Sequence, residues 1–462
     1  MATERRQAAL RAAAWSLALI YVWWMLRWSV RPEHYFFADD WDWLYRAVLL
    51  TWQEQTSVLP RWAFNDRPVG ALIFRGMYHV FGLNPLPFHW LCLLLHLLNM
   101  TLLLRLTRRL LNSWWVSAAG ALAYGVWSAA NMGVSWMADI FDVFGETMIL
   151  LCLLSFLSPR RGLRALTPLL YFLAARTKEA TIGLPAVLLV WLLVEHGWHA
   201  GWRQAARRLW PYAIIVLVLV VVYAPLAVQH QASPDKTYRM EITPRVYIEG
   251  MYFYFSTMMY GRPWPFGRLI RWLVTLAVMA AALRWRPRPA LLGAAGFVVF
   301  LGPVIFMARQ REQLYLYIPA SFLVLMLAAG AEAAGERLQS SAAGRELAAV
   351  VLMLFFVVTL PHLAHMQTRA KWMLEETAQA RVDLEAFRSQ VRTLHDNARI
   401  VMVGFPEGYN VFRTPGCSVL KVAYHVDPLN CTFSEDTSGA DLVVTRRGKG
   451  IEVRQGLFPM TR

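Results

Sequence analysis

The chain of 462 residues is poor in charge, with only 16% Asp, Glu, Lys and Arg against 57% hydrophobic residues, and that balance excludes an ordinary water-soluble domain. It has no Walker-type phosphate loop and no G-x-G-x-x-G turn, so nothing indicates nucleotide hydrolysis or a dinucleotide cofactor. Repeat arrays and low-complexity tracts are also missing. Cysteine is scarce, at four residues. Cys92 and Cys152 sit inside apolar runs as small core residues, and only Cys417 and Cys431, in the polar tail, are placed to form a disulfide. Acids are fewer than bases, 30 against 46, for a formal charge of +16. The basic surplus falls in short clusters between apolar runs, which argues for membrane loops and against nucleic acid as a partner.

What remains is lipid-compatible sequence, with a mean hydropathy of +0.37. Apolar runs cover 12–30, 88–104, 114–130, 143–157, 165–175, 182–194, 209–228, 269–283, 290–307, 314–331 and 348–360. They predict an α-helical polytopic membrane protein with about eleven transmembrane helices. The run 165–175 is too short to cross the hydrocarbon alone, so its continuation Arg176, Thr177, Lys178 and Glu179 must lie against protein or a water-filled cavity. Basic clusters occur at Arg5, Arg6 and Arg11, at Arg105, Arg108 and Arg109, at Arg160, Arg161 and Arg164, at Arg203, Arg207 and Arg208, at Arg284, Arg286 and Arg288, and at Arg337 and Arg345. They mark every second loop, which puts the N-terminus in the cytoplasm behind an uncleaved first anchor and the tail outside.

A transmembrane domain is therefore expected over 1–363, with a long first outer loop at 31–85, followed by a small soluble α/β domain over 364–462. A second outer segment, 229–268, mixes Lys236, Arg239 and Arg245 with an aromatic stretch at 247–260 that reads as an interfacial amphipathic helix. The tail reads as a polar helix to about residue 392, with strands at 399–403, 418–423 and 441–444.

Chemistry concentrates in a few places. Asp39, Asp40 and Asp42 crowd together just past the first span, and neighbouring carboxylates raise one another's pKa, which suits a general base. The plainer alternative is a solvated acidic loop with interfacial tryptophans. Asp40 and Asp42 also form an Asp-x-Asp pair, a candidate for a divalent cation such as Mg or Mn; no other cofactor is indicated. Asp139, Asp142 and Glu146 enter the fourth span, where they either orient an acceptor or serve the helix N-terminus. Arg67, Lys178, Arg309 and Arg311 are cations on the side opposite the basic clusters, suited to a phosphate clamp or to ion pairs with nearby acids. His89, His96 and Asn99 form one stripe in the second span, for which interhelical hydrogen bonds are the preferred explanation over ligand contact.

The acidic pair Asp39-Asp40 is followed by Arg67-Pro68, by Gly82-Leu83-Asn84-Pro85-Leu86-Pro87-Phe88-His89, and by Leu95-His96-Leu97-Leu98-Asn99 with a basic stop at Arg108 and Arg109. Val134-Ser135-Trp136 precedes Asp142 by six residues, Lys178-Glu179-Ala180 leads into the sixth run, and Leu314-Tyr315-Leu316-Tyr317-Ile318-Pro319 opens the tenth. With these elements the chain resembles a C-superfamily (GT-C) membrane glycosyltransferase, the group of protein O-mannosyltransferases and lipid A aminoarabinose transferases. It is most similar to bacterial relatives of the tetratricopeptide-bearing transmembrane O-mannosyltransferases. Two departures stand out: Gln313 and Leu314 occupy places where that family carries Glu-Arg, with Arg311-Glu312 two residues earlier, and the tail has no tetratricopeptide array.

The resemblance implies an inverting transfer of a sugar from a polyprenyl-phosphate donor in the membrane lipid to an acceptor hydroxyl of a protein, lipid or glycan. It would occur at the outer face, with a bacterial inner membrane and a periplasmic site as the expected setting. Asp40, or secondarily Asp39, would act as base, Asp142 with Asp139 would place the acceptor, and Arg67, Lys178, Arg309 and Arg311 would hold the donor phosphate. Glu179, Tyr315, Tyr317 and His89 complete the candidate site. Two other readings stay open: a transporter or flippase of lipid-linked sugar or solute, and a ligase or polymerase moving whole glycans.

Overall fold

A helix that is apolar on every side has no face to offer water and must lie inside a bundle or in lipid. The Tyr317–Leu338 helix is of this kind, and in the 26-residue apolar stretch Gln313–Leu338 94% of the most apolar window is buried by protein. The helices Trp114–Gly125, Gly267–Trp285, Pro287–Leu301 and Ala342–Thr359 pack around it. The computed structural model describes residues 2–56, 59, 66–231, 239–259, 267–359, 362–405, 410–448 and 450–455.

Each of the eleven predicted runs corresponds to a helix. Besides the five just named these are Ala2–Met25, Leu86–Leu110, Ile140–Phe156, Arg161–Ala175, Leu184–His196 and Trp210–Gln231. Among the described residues, four stretches are long and apolar enough to cross a membrane individually: Thr3–Met25, Leu86–Leu110, Glu179–His196 and Gln313–Leu338. A fifth arises if Trp198–Arg208 and Trp210–Leu226, bent by 68°, count as one span. Others fall short; the 15 residues of Arg161–Ala175 reach about 22 Å at 1.5 Å per residue.

The segment 31–85 was expected as a loop and is instead mostly helical, with Asp40–Leu49, Trp52–Gln55 and Pro68–Phe81. Trp41, Leu44 and Ala47 recur at helical spacing and are buried, so an amphipathic pattern too short to span was hidden in an acidic, aromatic stretch. Pro68 opens the third of these helices and Gly82, at φ 57°, closes it, the usual proline-in, glycine-out asymmetry. The aromatic stretch at 247–260 lies largely in the Pro244–Met259 helix, with Ile248 and Tyr252 exposed. Lys236 and Tyr260 lie outside the described residues.

The tail begins with the predicted polar helix, His362–Gln390, and then forms β1 (Arg399–Val403), β2 (Asn430–Phe433), β3 (Leu442–Arg447) and β4 (Gly450–Gln455) in the order β2-β1-β3-β4. β1 runs parallel to β2 and β3, and β4 is antiparallel to β3. Residues 418–423, predicted as a strand, form the Ser418–Tyr424 helix. Parallel neighbours cannot be joined by a hairpin, so the chain between β1 and β2 needs a crossover, which this helix supplies. Cys417, at its start, is disulfide-bonded to Cys431 in β2.

The tail shares one apolar core with the outer helices, in which Trp41, Trp43, Phe74 and Phe88 join Phe387, Val419 and Leu420. At its edge Tyr45 Oη donates to Asp427 Oδ2 at 2.7 Å, and Lys421 Nζ lies 2.7 Å from Asp427 Oδ1.

Close packing of the central helix rests on two glycines. A Cβ at Gly330 would sit 2.0 Å from the Val278 carbonyl oxygen, and one at Gly293 would sit 2.6 Å from that of Phe322. Gly330→Val should therefore force two helices apart and cost about 1–3 kcal/mol or more, read as a lower unfolding midpoint in detergent. Gly76→Ala, where an added Cβ meets nothing within 4 Å, should leave the midpoint unchanged or raise it.

Candidate functional site

The site is built on the connector 176–179, which the short Arg161–Ala175 helix leaves at the edge of the bundle. The helix end is closed by Thr177 Oγ1, which donates to the Leu173 carbonyl at 2.7 Å, while the Arg176 carbonyl accepts from Val69 N at 3.3 Å. Backbone groups that a helix end would leave bare are thus satisfied by local and outer-segment partners.

Three side chains of the connector each find an opposite charge on a different element. Arg176 Nη2 lies 3.3 Å from Asp66 Oδ2, with both residues buried, and Arg176 Nη1 donates to Tyr223 Oη at 3.1 Å. Lys178 Nζ donates to Asp142 Oδ2 at 2.5 Å, also buried. Glu179 accepts a forked pair from Arg67, Nε to Oε1 at 2.9 Å and Nη2 to Oε2 at 2.9 Å. Burial works against the Arg67 charge, and the Glu179 carboxylate more than restores it, so the guanidinium pKa rises. The Arg67 guanidinium lies over the Phe141 ring, 5.1 Å from its centroid, and Lys178 Nζ is 5.7 Å from the centroid of Tyr315. The ion-pair alternative for these cations holds, with Glu179 paired to Arg67 and Lys178 paired to Asp142. Arg176 belongs to the run 176–179 that the shortness of its helix had marked, whereas Asp66 and Tyr223 join the cluster without having been proposed for it; the signal for Asp66 was its adjacency to Arg67.

The acids past the first span have three different surroundings. Asp40 is buried, and both its oxygens accept backbone amides, Oδ2 from Phe37 N at 2.8 Å and Oδ1 from Ala138 N at 2.7 Å. Burial pushes its pKa well up, and the two amides pull it back. This clasp closes a turn in which Ala38 is held at φ 43°, a left-handed conformation that is unfavourable for a residue with a Cβ. Asp42 pairs with Arg46 at 2.9 Å. Asp39 makes no side-chain hydrogen bond or ion pair among the described residues and is partly exposed. Its pKa is raised, first by burial and then by Asp42, with Arg67 and Arg46 drawing it down.

Asp40 and Asp42 are not set side by side as a divalent-cation pair would need: both lie in the helix Asp40–Leu49, where positions i and i+2 point about 200° apart, and both Asp40 oxygens and Asp42 Oδ2 have other partners. Among the described residues no group of three His, Cys, Asp or Glu side chains converges to hold a metal.

Asp139 precedes the Ile140–Phe156 helix but does not cap it, and makes no side-chain hydrogen bond or ion pair among the described residues. Burial and Asp142 raise its pKa, while Lys178 and Arg67 lower it. Arg311 Nη2 reaches Glu249 Oε2 at 3.4 Å, and Arg309 is exposed with no ion pair among the described residues.

Two candidates fall outside this cluster. Tyr317 is buried in the bundle, where its Oη meets His96 Nδ1 at 2.7 Å and accepts from Asn99 Nδ2 at 3.3 Å. Asn99 also donates to the Val143 carbonyl at 2.8 Å and accepts from Thr147 Oγ1 at 2.7 Å. The polar stripe of the second span therefore joins helices, as preferred from the sequence, and Tyr317 belongs to that network. His89 is fully buried and stacks on His34 with ring centroids 4.1 Å apart.

Residues 65–227 match the family model described as dolichyl-phosphate-mannose-protein mannosyltransferase. No curated protein matches the chain. Among solved structures, ArnT from Cupriavidus metallidurans bound to undecaprenyl phosphate superposes with a TM-score of 0.51 at 17% identity, covering 96% of this chain and 97% of that one. The apo state of ArnT from the same organism gives 0.50 at 17% identity, covering 92% and 87%. At that identity the likeness shows the fold, and the family segment takes in Arg67, Asp139, Asp142, Lys178 and Glu179. The chain thus has the fold of these ArnT structures, built on apolar helices of which four are long enough to span a membrane, and its residues 65–227 match the mannosyltransferase family model.

Proposed function

We propose that the protein transfers a sugar from a polyprenyl-phosphate donor to an acceptor hydroxyl with inversion, at the periplasmic face of a bacterial inner membrane. The observation that carries this is the placement of Asp39 and Asp139, which have no hydrogen-bond or ion-pair partner for their side chains among the described residues, beside cations that already tolerate burial. Support for the donor class comes from the ArnT neighbour bound to undecaprenyl phosphate and from the dolichyl-phosphate description of the matching family. The Cys417–Cys431 bridge fits a compartment outside the reducing cytoplasm.

Asp39 is assigned as the general base and Asp40 as the residue that fixes its turn, because the Asp39 oxygens have no partner among the described residues and Asp40 has both engaged. The acceptor O–H gives its proton to the Asp39 carboxylate as the oxygen bonds to the anomeric carbon from the face opposite the phosphate. The bond from the anomeric carbon to the phosphate oxygen breaks, and its electron pair leaves with the polyprenyl phosphate, which gains one negative charge. Arg67, Lys178 and the exposed Arg309 meet that charge where it develops. Arg67 retains Nη1, which donates to nothing among the described residues. Arg311 acts with Glu249 at the rim, and Asp139 and Asp142 orient the acceptor. Tyr315 lines the Lys178 side.

Asp39→Asn should lower kcat by about 10²–10⁴-fold, the usual contribution of a general base, with an unchanged unfolding midpoint. The assay follows radiolabel from a panel of polyprenyl-phosphate sugars into products of a membrane extract. Full transfer by Asp39→Asn would overturn the assignment, and a lipid-linked sugar crossing the bilayer unchanged would point to a transporter. Asp40→Asn presents an amide donor to backbone N–H groups, and should cost about 1–3 kcal/mol of stability, seen as a lower midpoint.

The pH profile follows from the raised Asp39 pKa. The base works only when ionised, so kcat/KM should fall as pH drops through a midpoint above the ordinary 3.8, and that acid limb should vanish from the residual activity of Asp39→Asn. For Lys178 and Asp142, removing one partner strands a buried charge at about 3–5 kcal/mol, whereas removing both in favour of apolar residues is roughly neutral. Lys178→Met with Asp142→Leu should therefore melt near wild type while losing transfer; transfer at the wild-type rate would make the pair structural only.

A further inference from the structure

At the other end of the second predicted span from the acid cluster lies an open cleft of about 390 Å³, between the Ala2–Met25, Leu86–Leu110 and Trp114–Gly125 helices. Arg105 is 16 residues along one helix from His89, or about 24 Å at 1.5 Å per residue, so the cleft lies at the opposite end of that helix from His89. Arg11 enters it from the first helix and Arg105 and Arg108 from the second, with Trp15, Trp114 and Thr101 between them. No carboxylate is in its lining.

The arginines are arranged to hold an anion. Arg105 is exposed and forms no ion pair among the described residues. Arg108 uses Nη1 on the carbonyls of Leu111, at 2.9 Å, and Asn112, at 2.5 Å, which steadies the guanidinium, and its remaining donors have no partner among the described residues. Arg11 lies over the Trp114 ring, 6.0 Å from its centroid, and Trp15 Nε1 donates to Thr101 Oγ1 at 3.3 Å. Indole rings beside arginines at the end of a predicted span match the chemistry of the headgroup layer, where tryptophan prefers to sit. Topology alone asks for basic residues near this membrane end. It does not ask that two helices aim them into one acid-free cleft of small-molecule size.

We infer that this cleft binds the phosphodiester headgroup of an anionic phospholipid from the leaflet opposite the transfer site. The three guanidiniums take the phosphate oxygens, and the tryptophans flank the glycerol and upper acyl chains.

The test is native mass spectrometry of the full-length protein in detergent, titrated in separate arms with phosphatidylglycerol, phosphatidylcholine, inorganic phosphate and undecaprenyl phosphate. Phosphatidylglycerol should be retained in preference to phosphatidylcholine, and millimolar inorganic phosphate should not displace it. Each arginine removed should weaken binding about fivefold, in Arg105→Gln alone and further in Arg11→Gln with Arg105→Gln. The control, Arg160→Gln with Arg161→Gln, changes exposed arginines of another cluster and should bind as wild type. Unfolding midpoints without added lipid, equal to wild type, establish that the variants are folded, and the exposed Arg105→Gln carries the test if the double variant is not. Equal loss in the control, equal retention of phosphatidylcholine, displacement by inorganic phosphate, or preferential displacement by undecaprenyl phosphate would each overturn the inference.

Discussion

A charge taken into a bundle of apolar helices must meet an opposite charge or a carbonyl, because water is not there to solvate it. The connector 176–179 meets this constraint with three pairs to three places: Arg176 to Asp66, Lys178 to Asp142 and Glu179 to Arg67. The outer segment, the Ile140–Phe156 helix and the end of Arg161–Ala175 are thereby held to one another by charge. Because each cation brings one carboxylate, these three pairs carry no net charge. These groups are already desolvated and oriented, so a charge that developed beside them would need little reorganisation.

The sequence was most legible where hydrophobicity ran long. All eleven apolar runs became helices, and the shortness of 165–175 located the charged connector before any coordinates. Pairings were not legible, since which carboxylate meets Lys178 depends on three-dimensional packing, and Glu179, its neighbour in sequence, turned to Arg67. Asp39 and Asp40 illustrate the limit further. They are adjacent and chemically identical, yet Asp40 is consumed by the amides of Phe37 and Ala138 while Asp39 has no side-chain partner among the described residues. That difference depends on Ala138, 98 positions away, and no local pattern reports it. The strand expected at 418–423 failed for a related reason: its apolar residues fit either period, and the parallel pairing of β1 with β2 decided for a helix.

The boundary expected near residue 363 divides the chain by hydropathy and does not divide the packing. Trp41 and Trp43, from the acidic outer helix, share a core with Val419 and Leu420 of the tail. The tail therefore helps to set the tilt of the helix whose first turn carries the acids, without itself contributing a residue to the cluster.

The hydrogen bond between Tyr45 and Asp427 spans 382 positions, and that separation has a consequence for biosynthesis. The Asp40–Leu49 helix emerges among the first residues made, but the surface that seats it is among the last. Contacts of such high sequence separation form late, so the helix reaches its final seat only after nearly the whole chain has been made and the tail has folded. A chain still being translated, or one ended before residue 410, carries the acids in its first outer segment but lacks the packing that aims them.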